Sequence, residues 1–214
     1  MRTILLLLCI LSVTFSAQAQ LFSKDWVQGS YYDTTGNKTT GLIAWSAPDK
    51  LSKKPGDHIF YKSTSAAEKV KIGTASITSF TMGSDSFVVS KISSINYAPV
   101  LRVLINRPVK LYYWSAQVTS IPVAALGAVG GALVGAAVIG GTSGGKAYLY
   151  GTNPNNIEPI TRKNFIEVIC SIMDDKPEVT KLIVNKTLKF ADMDSLLILY
   201  RTGKLPQKNN DDMY

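Results

Sequence analysis

The sequence predicts an α+β fold, with an antiparallel β region followed by an apolar central segment and a tail of short helices. Three observations support this prediction. Residues 26–118 contain runs of about four to eight β-branched and aromatic residues, separated by turn-forming residues. Residues 119–145 are rich in glycine and alanine and carry no charge. From about Thr161 onward, apolar residues recur every three or four positions, as they do on one face of a helix.

The N-terminus has the organisation of a cleavable secretory signal peptide. Arg2 supplies a positive charge, residues 4–13 are almost purely apolar, and Ala17-Gln18-Ala19 offers small residues for cleavage. An uncleaved membrane anchor is the alternative, but the apolar run has about ten residues where roughly twenty are needed. We therefore predict an exported protein of the cell envelope, periplasmic or membrane-associated rather than fully secreted, whose mature chain begins near Gln20.

The charge and the cysteine content limit which partners the chain can bind and how its fold can be stabilised. After cleavage only Cys170 remains, so an intramolecular disulfide is impossible and the core alone must stabilise the exported chain. The formal net charge is +8, but the lysines are scattered along the sequence rather than grouped in one stripe. A nucleic-acid partner is therefore not predicted. A basic surface near acidic envelope polymers or lipid head groups is the simpler interpretation.

The β region is predicted to be antiparallel because no helical run within it is long enough for the crossover of a parallel sheet. Turn residues at Gly36-Asn37, Pro55-Gly56-Asp57 and Gly83-Ser84-Asp85 separate neighbouring strands. An antiparallel sheet, a sandwich and a partly open barrel all fit the pattern. The predicted strands are 27–32, 42–46, 58–62, 76–82, 87–90, 100–106 and 109–118.

Three stretches of the β region carry a resemblance. Residues 26–43, the IFYK sequence at 59–62, and residues 79–89 resemble a group of uncharacterised exported envelope proteins of Gram-negative bacteria. In those proteins an N-terminal β region is coupled to a short helical tail. The resemblance implies an envelope location and implies no activity.

The central segment has a regular spacing of small residues. Gly127, Gly131 and Gly135 recur at intervals of four. The same interval separates Ala124, Ala128 and Ala132. On a helix both sets form tracks of small side chains that allow close packing of helices. The spacing resembles the glycine-zipper stretches of bacterial envelope proteins. Residues 121–141 would extend for roughly 31 Å as a helix, which is about the thickness of a bilayer core.

Two interpretations of this segment stay open. A membrane-inserted or membrane-associated helix is predicted because an unpaired amide in lipid costs several kcal/mol, more than the helix penalty of glycine. It would make the membrane, or a second copy of the chain, the partner. The alternative is a buried helical hairpin or a Gly-rich loop between two strands. A single membrane span would place the β region and the helical tail on opposite sides, which favours a re-entrant or interfacial placement over a single span.

The tail is predicted to contain three short amphipathic helices. Phe165, Ile169 and Ile172 line one face of the first, with Thr161 as its N-cap. Pro177 fits the first turn of the second helix. Asp192 is predicted to cap the third helix, and Gly203 and Pro206 to end it.

The whole chain is predicted to divide into five parts. These are a signal peptide (1–19), a β-rich domain (20–118), the Gly/Ala-rich segment (119–145), a final strand with the helical tail (146–206), and a disordered C-terminus (207–214).

A search for catalytic chemistry gives no candidate. His58 is the single histidine, so a zinc site would lack its other ligands and a serine triad would have to be built on this one residue. Gly144-Gly145-Lys146 lacks the earlier glycine and the following hydroxyl residue of a phosphate loop. The carboxylate pairs Asp174-Asp175 and Asp211-Asp212 are chain neighbours, whose side chains diverge. We therefore predict no catalytic, cofactor-binding or metal-binding residue.

The leading functional hypothesis is a non-enzymatic exported envelope protein with a structural or interaction role. It would associate with the membrane, or with itself, through the glycine-zipper segment, and an envelope protein is a possible partner. The alternative is a soluble periplasmic or secreted module that binds a ligand on its β-sheet. An enzyme is the third and least favoured class.

Overall fold

The computed structural model describes residues 26–46, 58–91, 100–115 and 146–206. These residues form ten strands and three short α-helices. The strands are β1 (Val27–Asp33), β2 (Lys38–Ala44), β3 (His58–Lys62), β4 (Val70–Gly73), β5 (Ile77–Met82), β6 (Asp85–Val89), β7 (Val100–Ile105), β8 (Lys110–Ser115), β9 (Lys146–Asn153) and β10 (Asn156–Pro159). The helices are α1 (Phe165–Ile172), α2 (Pro177–Val184) and α3 (Met193–Thr202).

All ten strands belong to one antiparallel sheet, in the order β4-β3-β2-β1-β5-β6-β7-β8-β9-β10. The predicted fold class is therefore wrong. The sheet is not an N-terminal unit that ends before a central helix, because β9 and β10 continue it after residue 145. In the described residues there is no long apolar central helix. The sequence pattern identified strands locally but contained no information on which strands pair.

The sheet curls strongly in its first half. Three strands lie between β4 and β5, yet Gly73 and Ile77 are joined only by a 3-10 turn at Thr74–Ser76. Four strand spacings in a flat sheet would cover about 19 Å, whereas four residues reach at most about 14 Å. Strands β1 to β5 must therefore bend toward one another, and we name them the N-terminal curl. Its interior is filled by Ile43, Ile59, Ile77, Phe80, Phe87, Val89 and Val100.

Two paired glycines permit this tight packing. Gly29 and Gly41 lie opposite each other on β1 and β2. A Cβ atom at Gly29 would overlap the backbone carbonyl of Thr81, and one at Gly41 would overlap that of Lys62. Only a residue without a side chain allows the neighbouring strands to approach so closely.

The second half of the sheet curls as well. The Ser90 hydroxyl donates a hydrogen bond of 2.6 Å to the Pro154 carbonyl, and the Lys91 amide donates one of 2.6 Å to the Asn155 side chain. These contacts bring the end of β6 to the β9-β10 turn across two intervening strands. We name β6 to β10 the C-terminal curl. Its interior contains Leu101, Tyr112, Trp114, Ala147, Leu149 and Ile157.

The two curls bend in opposite senses. Phe87 and Val89 of β6 point into the N-terminal core, whereas Val88 between them packs against the C-terminal core. Successive residues of a strand point to opposite faces. The interiors therefore lie on opposite faces of one continuous sheet, which has the shape of an S.

The helices cover the outer surface of the C-terminal curl. Leu111 of β8 packs against the helices, while the next residue, Tyr112, points into the curl. We name α1, α2 and α3 the helical layer. The core between this layer and the sheet contains Ile105, Leu111, Ile160, Phe165, Ile169, Ile172, Met173, Val179, Ile183, Leu188, Met193, Leu196, Leu197 and Leu199.

Most predicted helix boundaries are confirmed. Pro177 is the first residue of α2. The prediction of Thr161 as the N-cap of α1 is wrong, because the N-cap residue is Asn164, whose side-chain oxygen accepts hydrogen bonds from the Thr161 amide and hydroxyl. Gly203 ends α3 with a φ of 72°. Asp192 precedes α3, but its carboxylate accepts a hydrogen bond of 2.9 Å from the Lys189 amide instead of capping α3.

The described residues contradict the prediction of a transmembrane helix. None of their helices is long and apolar enough to cross a bilayer, and the longest has 10 residues. Ser115 and Lys146 are paired neighbours on β8 and β9, so the chain leaves and re-enters the sheet at one place. A single span between them, with the two flanks on opposite sides, is incompatible with this pairing. Outside the described residues lie the predicted signal peptide, the C-terminus from 207, and Ala124, Gly127, Ala128, Gly131, Ala132 and Gly135.

Candidate binding face on the N-terminal curl

The outer surface of the N-terminal curl carries alternating polar and aromatic residues. On β3, Ile59 and Tyr61 pack into the core, so His58, Phe60 and Lys62 point outward. This period of two is the local reason that β3 forms a half-buried strand. The His58 ring lies edge-on to Phe60, with 4.8 Å between the ring centroids.

Strand β4 adds basic residues beside this row. Lys71 is the direct partner of Phe60 in the β3-β4 register. Lys69, just before β4, holds its ammonium group 5.0 Å from the centre of the Phe60 ring. At the other end of β3, the ammonium group of Lys62 lies 5.0 Å from the centre of the Trp26 ring. We name Trp26, Phe60, Lys62, Lys69 and Lys71 the basic-aromatic face.

The aromatic rings position the charges of this face. A cation over an exposed aromatic ring gains about 0.5–1 kcal/mol, which restricts a flexible lysine without neutralising it. Glu68 is the one acidic residue in the sequence from 58 to 73. The described part of the face is therefore a small positively charged area with flat apolar surfaces between the charges.

The sequence did not reveal this face. The lysines are separated along the chain, and residues 58–62 predict a strand without indicating which lysines lie beside it. Pairing of β3 with β4 brings Lys62, Lys69 and Lys71 to adjacent strands. The available signal was the alternation in residues 58–62, followed one turn later by Lys69 and Lys71.

The acidic pair Asp174-Asp175 has a structural role. Arg107, in the β7-β8 turn, forms an ion pair of 2.8 Å with Asp174 and a second ion pair with Asp175. The Tyr200 hydroxyl, which donates to Asp175 at 3.1 Å, is also the main cause that raises the pKa of Arg107. This network attaches the helical layer to the sheet.

A second polar contact attaches the same layer. The Tyr148 hydroxyl of β9 donates a hydrogen bond of 2.6 Å to the Asp194 carboxylate of α3. Burial, followed by this hydrogen bond, raises the pKa of Tyr148. The Tyr112 hydroxyl, inside the C-terminal curl, has no hydrogen-bond partner in the described part of the chain, and burial raises its pKa to about 12.

A metal centre finds no support in the described ranges, which contain no group of three or more histidine, cysteine or acidic residues arranged to hold an ion. Cys170 is a half-buried free thiol whose pKa is raised by burial. A thiol with a raised pKa is a poor nucleophile at neutral pH.

In class, the chain is a curled antiparallel β-sheet. The helical layer covers its C-terminal curl, and the basic-aromatic face lies on its N-terminal curl. Comparison with models of known families, with curated proteins and with solved structures finds no match.

Proposed function

We propose that this chain is an exported, non-enzymatic interaction protein of the cell envelope that binds an acidic partner protein through the basic-aromatic face. The observation that carries the proposal is the convergence of Lys62, Lys69 and Lys71 around Phe60 and Trp26 on two paired strands. The signal-like N-terminus and the resemblance to exported envelope proteins support the location.

Charge supports an acidic partner. The chain has a formal net charge of +8, and this excess draws acidic partners toward it during diffusion. On the face itself, flat aromatic surfaces beside cations offer apolar contact together with ion pairing. Such a combination favours a ligand that carries carboxylates between apolar groups.

The size of the face favours a short protein segment. β3 has 5 residues and β4 has 4 residues. At about 3.3 Å per residue, the two strands offer a surface roughly 15 Å long. A short stretch of polypeptide fits this length better than a broad membrane surface does.

A binding role also agrees with the use of the acidic groups. Asp174 and Asp175, which the sequence did not favour as an acid-base pair, both bind Arg107. Their charge is therefore engaged in attaching the helical layer to the sheet. This engagement supports the proposal that the chain is not an enzyme.

The proposal is tested with fluorescently labelled polyglutamate and the purified full-length mature chain. Binding should be measurable by fluorescence anisotropy at low salt and should weaken as salt is added, because the Debye length falls from about 10 Å at 0.1 M to about 3 Å at 1 M. Substitution of Lys62, Lys69 and Lys71 by glutamate should weaken binding by roughly tenfold or more, because each exposed ion pair contributes up to about 1 kcal/mol.

The matched control changes the same number of charges elsewhere. Lys163, Lys181 and Lys204 are exposed residues of the helical layer and its borders. Their replacement by glutamate should reduce binding much less than the change on the face. Equal losses in the two triple variants would mean that net charge alone attracts the ligand. Binding to anionic lipid vesicles without binding to polyglutamate would contradict a protein partner.

A further inference from the structure

Strand β4 is an edge of the sheet in the described residues. It pairs with β3 on one side, and no described strand pairs with its other side. Backbone donors and acceptors along such an edge are available to another strand. Only the far end is occupied, where the Ser76 hydroxyl donates a hydrogen bond of 2.8 Å to the Gly73 carbonyl.

The side chains of β4 are sorted between two faces. Val70 lies opposite Tyr61 and Ile72 lies opposite Ile59, so both belong to the inner side of the N-terminal curl. Lys71 points to the outer side, beside Phe60. Ile72 packs against the core, but Val70 is 49% exposed. The inner side is therefore incompletely covered at the end of β4 that is farther from β5.

We infer that an extended acidic segment of the partner protein adds to the outer edge of β4 as one more strand of the sheet. This inference rests on the proposed function and specifies how the partner binds. Backbone hydrogen bonds to β4 would supply affinity, and alternate side chains would supply specificity. Acidic residues of the added strand would lie beside Lys69 and Lys71, and apolar residues would lie beside Val70 and Ile72.

The lysines make this edge selective for an acidic strand. Lysine on an edge strand discourages pairing with another copy of a basic chain, because like charges would be brought together. The same lysines attract a strand with carboxylates on that face. Lys69 and Lys71 thus block self-association while leaving the edge open to the proposed partner.

The test uses a peptide of about eight residues in which glutamate and valine alternate, with its ends acetylated and amidated. Two further peptides carry N-methyl groups on all glutamates or on all valines. A strand directs its backbone amides toward a given neighbour at every second residue. One methylated peptide should therefore lose binding by at least tenfold, and the other should bind almost as well as the unmodified peptide.

Three protein variants complete the test. Lys69→Glu with Lys71→Glu should abolish binding of the alternating peptide, whereas Lys181→Glu with Lys204→Glu should leave most of it. Val70→Ser, a neutral change at an exposed position, should weaken the alternating peptide more than polyglutamate, since only the former places a valine there. Circular dichroism checks that each variant retains its β structure.

The outcomes separate this inference from the proposed function. Equal binding of both methylated peptides would show attraction by charge without strand addition, which overturns the inference and leaves the proposed function standing. The inference would also be overturned, with the proposed function left standing, if a peptide with all glutamates first and all valines last bound as well as the alternating peptide. If neither the peptides nor polyglutamate bind, both proposals are wrong.

Discussion

The two curls use one sheet in different ways. The C-terminal curl is covered on both sides, because its interior packs upon itself and its outer surface lies under the helical layer. The N-terminal curl also has a packed interior, but its outer surface carries the exposed basic-aromatic face. The difference shows that one continuous sheet has a half that is covered on both faces and a half whose outer face is exposed.

The largest expected effects test whether the two halves unfold together. Phe80→Ala in the N-terminal core and Leu149→Ala in the C-terminal core remove side chains that are 1% and 0% exposed. Each should lower the free energy of unfolding by about 2–5 kcal/mol. Because β5 pairs with both β1 and β6, each variant should show a single denaturant transition. Two separate transitions would mean that the curls are independent domains.

A smaller effect is expected where the helical layer is attached. Tyr148→Phe removes the hydrogen bond to Asp194, and a bond to a charged group contributes about 1–2 kcal/mol when partly exposed. Hydrogen exchange should become faster in α3 and stay unchanged in β1 to β4. Tyr150→Phe, which removes a hydrogen bond of 2.8 Å to Glu158 within the sheet, is the matched control and should leave exchange in α3 unaltered.

Removing an unpartnered polar group should have a still smaller effect of opposite sign. Tyr112→Phe deletes a buried hydroxyl without a described partner, so stability should stay the same or rise by up to about 1 kcal/mol. Burial raises the pKa of Tyr112 from 10.0 to about 12, so the folded chain favours the neutral hydroxyl more than the unfolded chain does. The stability that comes from this difference is fully present below pH 10 and is lost as the pH rises through 12. The variant should therefore lose less stability than the wild type in that range. A marked destabilisation at neutral pH would indicate a hydrogen bond to residues outside the described ranges.

The smallest effect concerns a local turn of the N-terminal curl. The Thr35 hydroxyl and then the Asn37 groups lower the pKa of Asp33 from 3.8 to about 2. A lowered pKa stabilises the folded chain at pH values above the pKa that the group has in the unfolded chain. This stability is lost as the pH falls from about 4 to about 2. NMR titration of the Asp33 carboxyl group in Thr35→Ala should give a higher pKa than in the wild type. An unchanged value would show that the Thr35 hydroxyl is not the main cause.

Local sequence patterns predicted individual elements better than the arrangement of the chain. The strand at 58–62 and the helices near Phe165 and Pro177 have periods that depend on adjacent residues, and the structure confirms them. β4 and β10 were missed because each has only 4 residues, too few for a period to be recognised. The glycine-zipper residues stay a prediction, while the transmembrane helix and the fold class were wrong.

The basic-aromatic face illustrates the same limit for the candidate site. Lysines at 62, 69 and 71 are visible in the sequence, but whether they meet depends on the register between β3 and β4. A shift of one residue would place Lys71 on the inner side, beside the core. The charge composition was therefore predictable, and its location was not.

By itself the sequence determined the periods of several strands, the ends of most helices and the basic charge. These properties depend on neighbouring residues or on composition. Only the tertiary structure decided that the strands form one sheet with two opposed curls, and that Arg107 rather than a substrate engages Asp174 and Asp175. Pairing between distant strands depends on the total burial and hydrogen bonding of the whole chain, which no local pattern encodes.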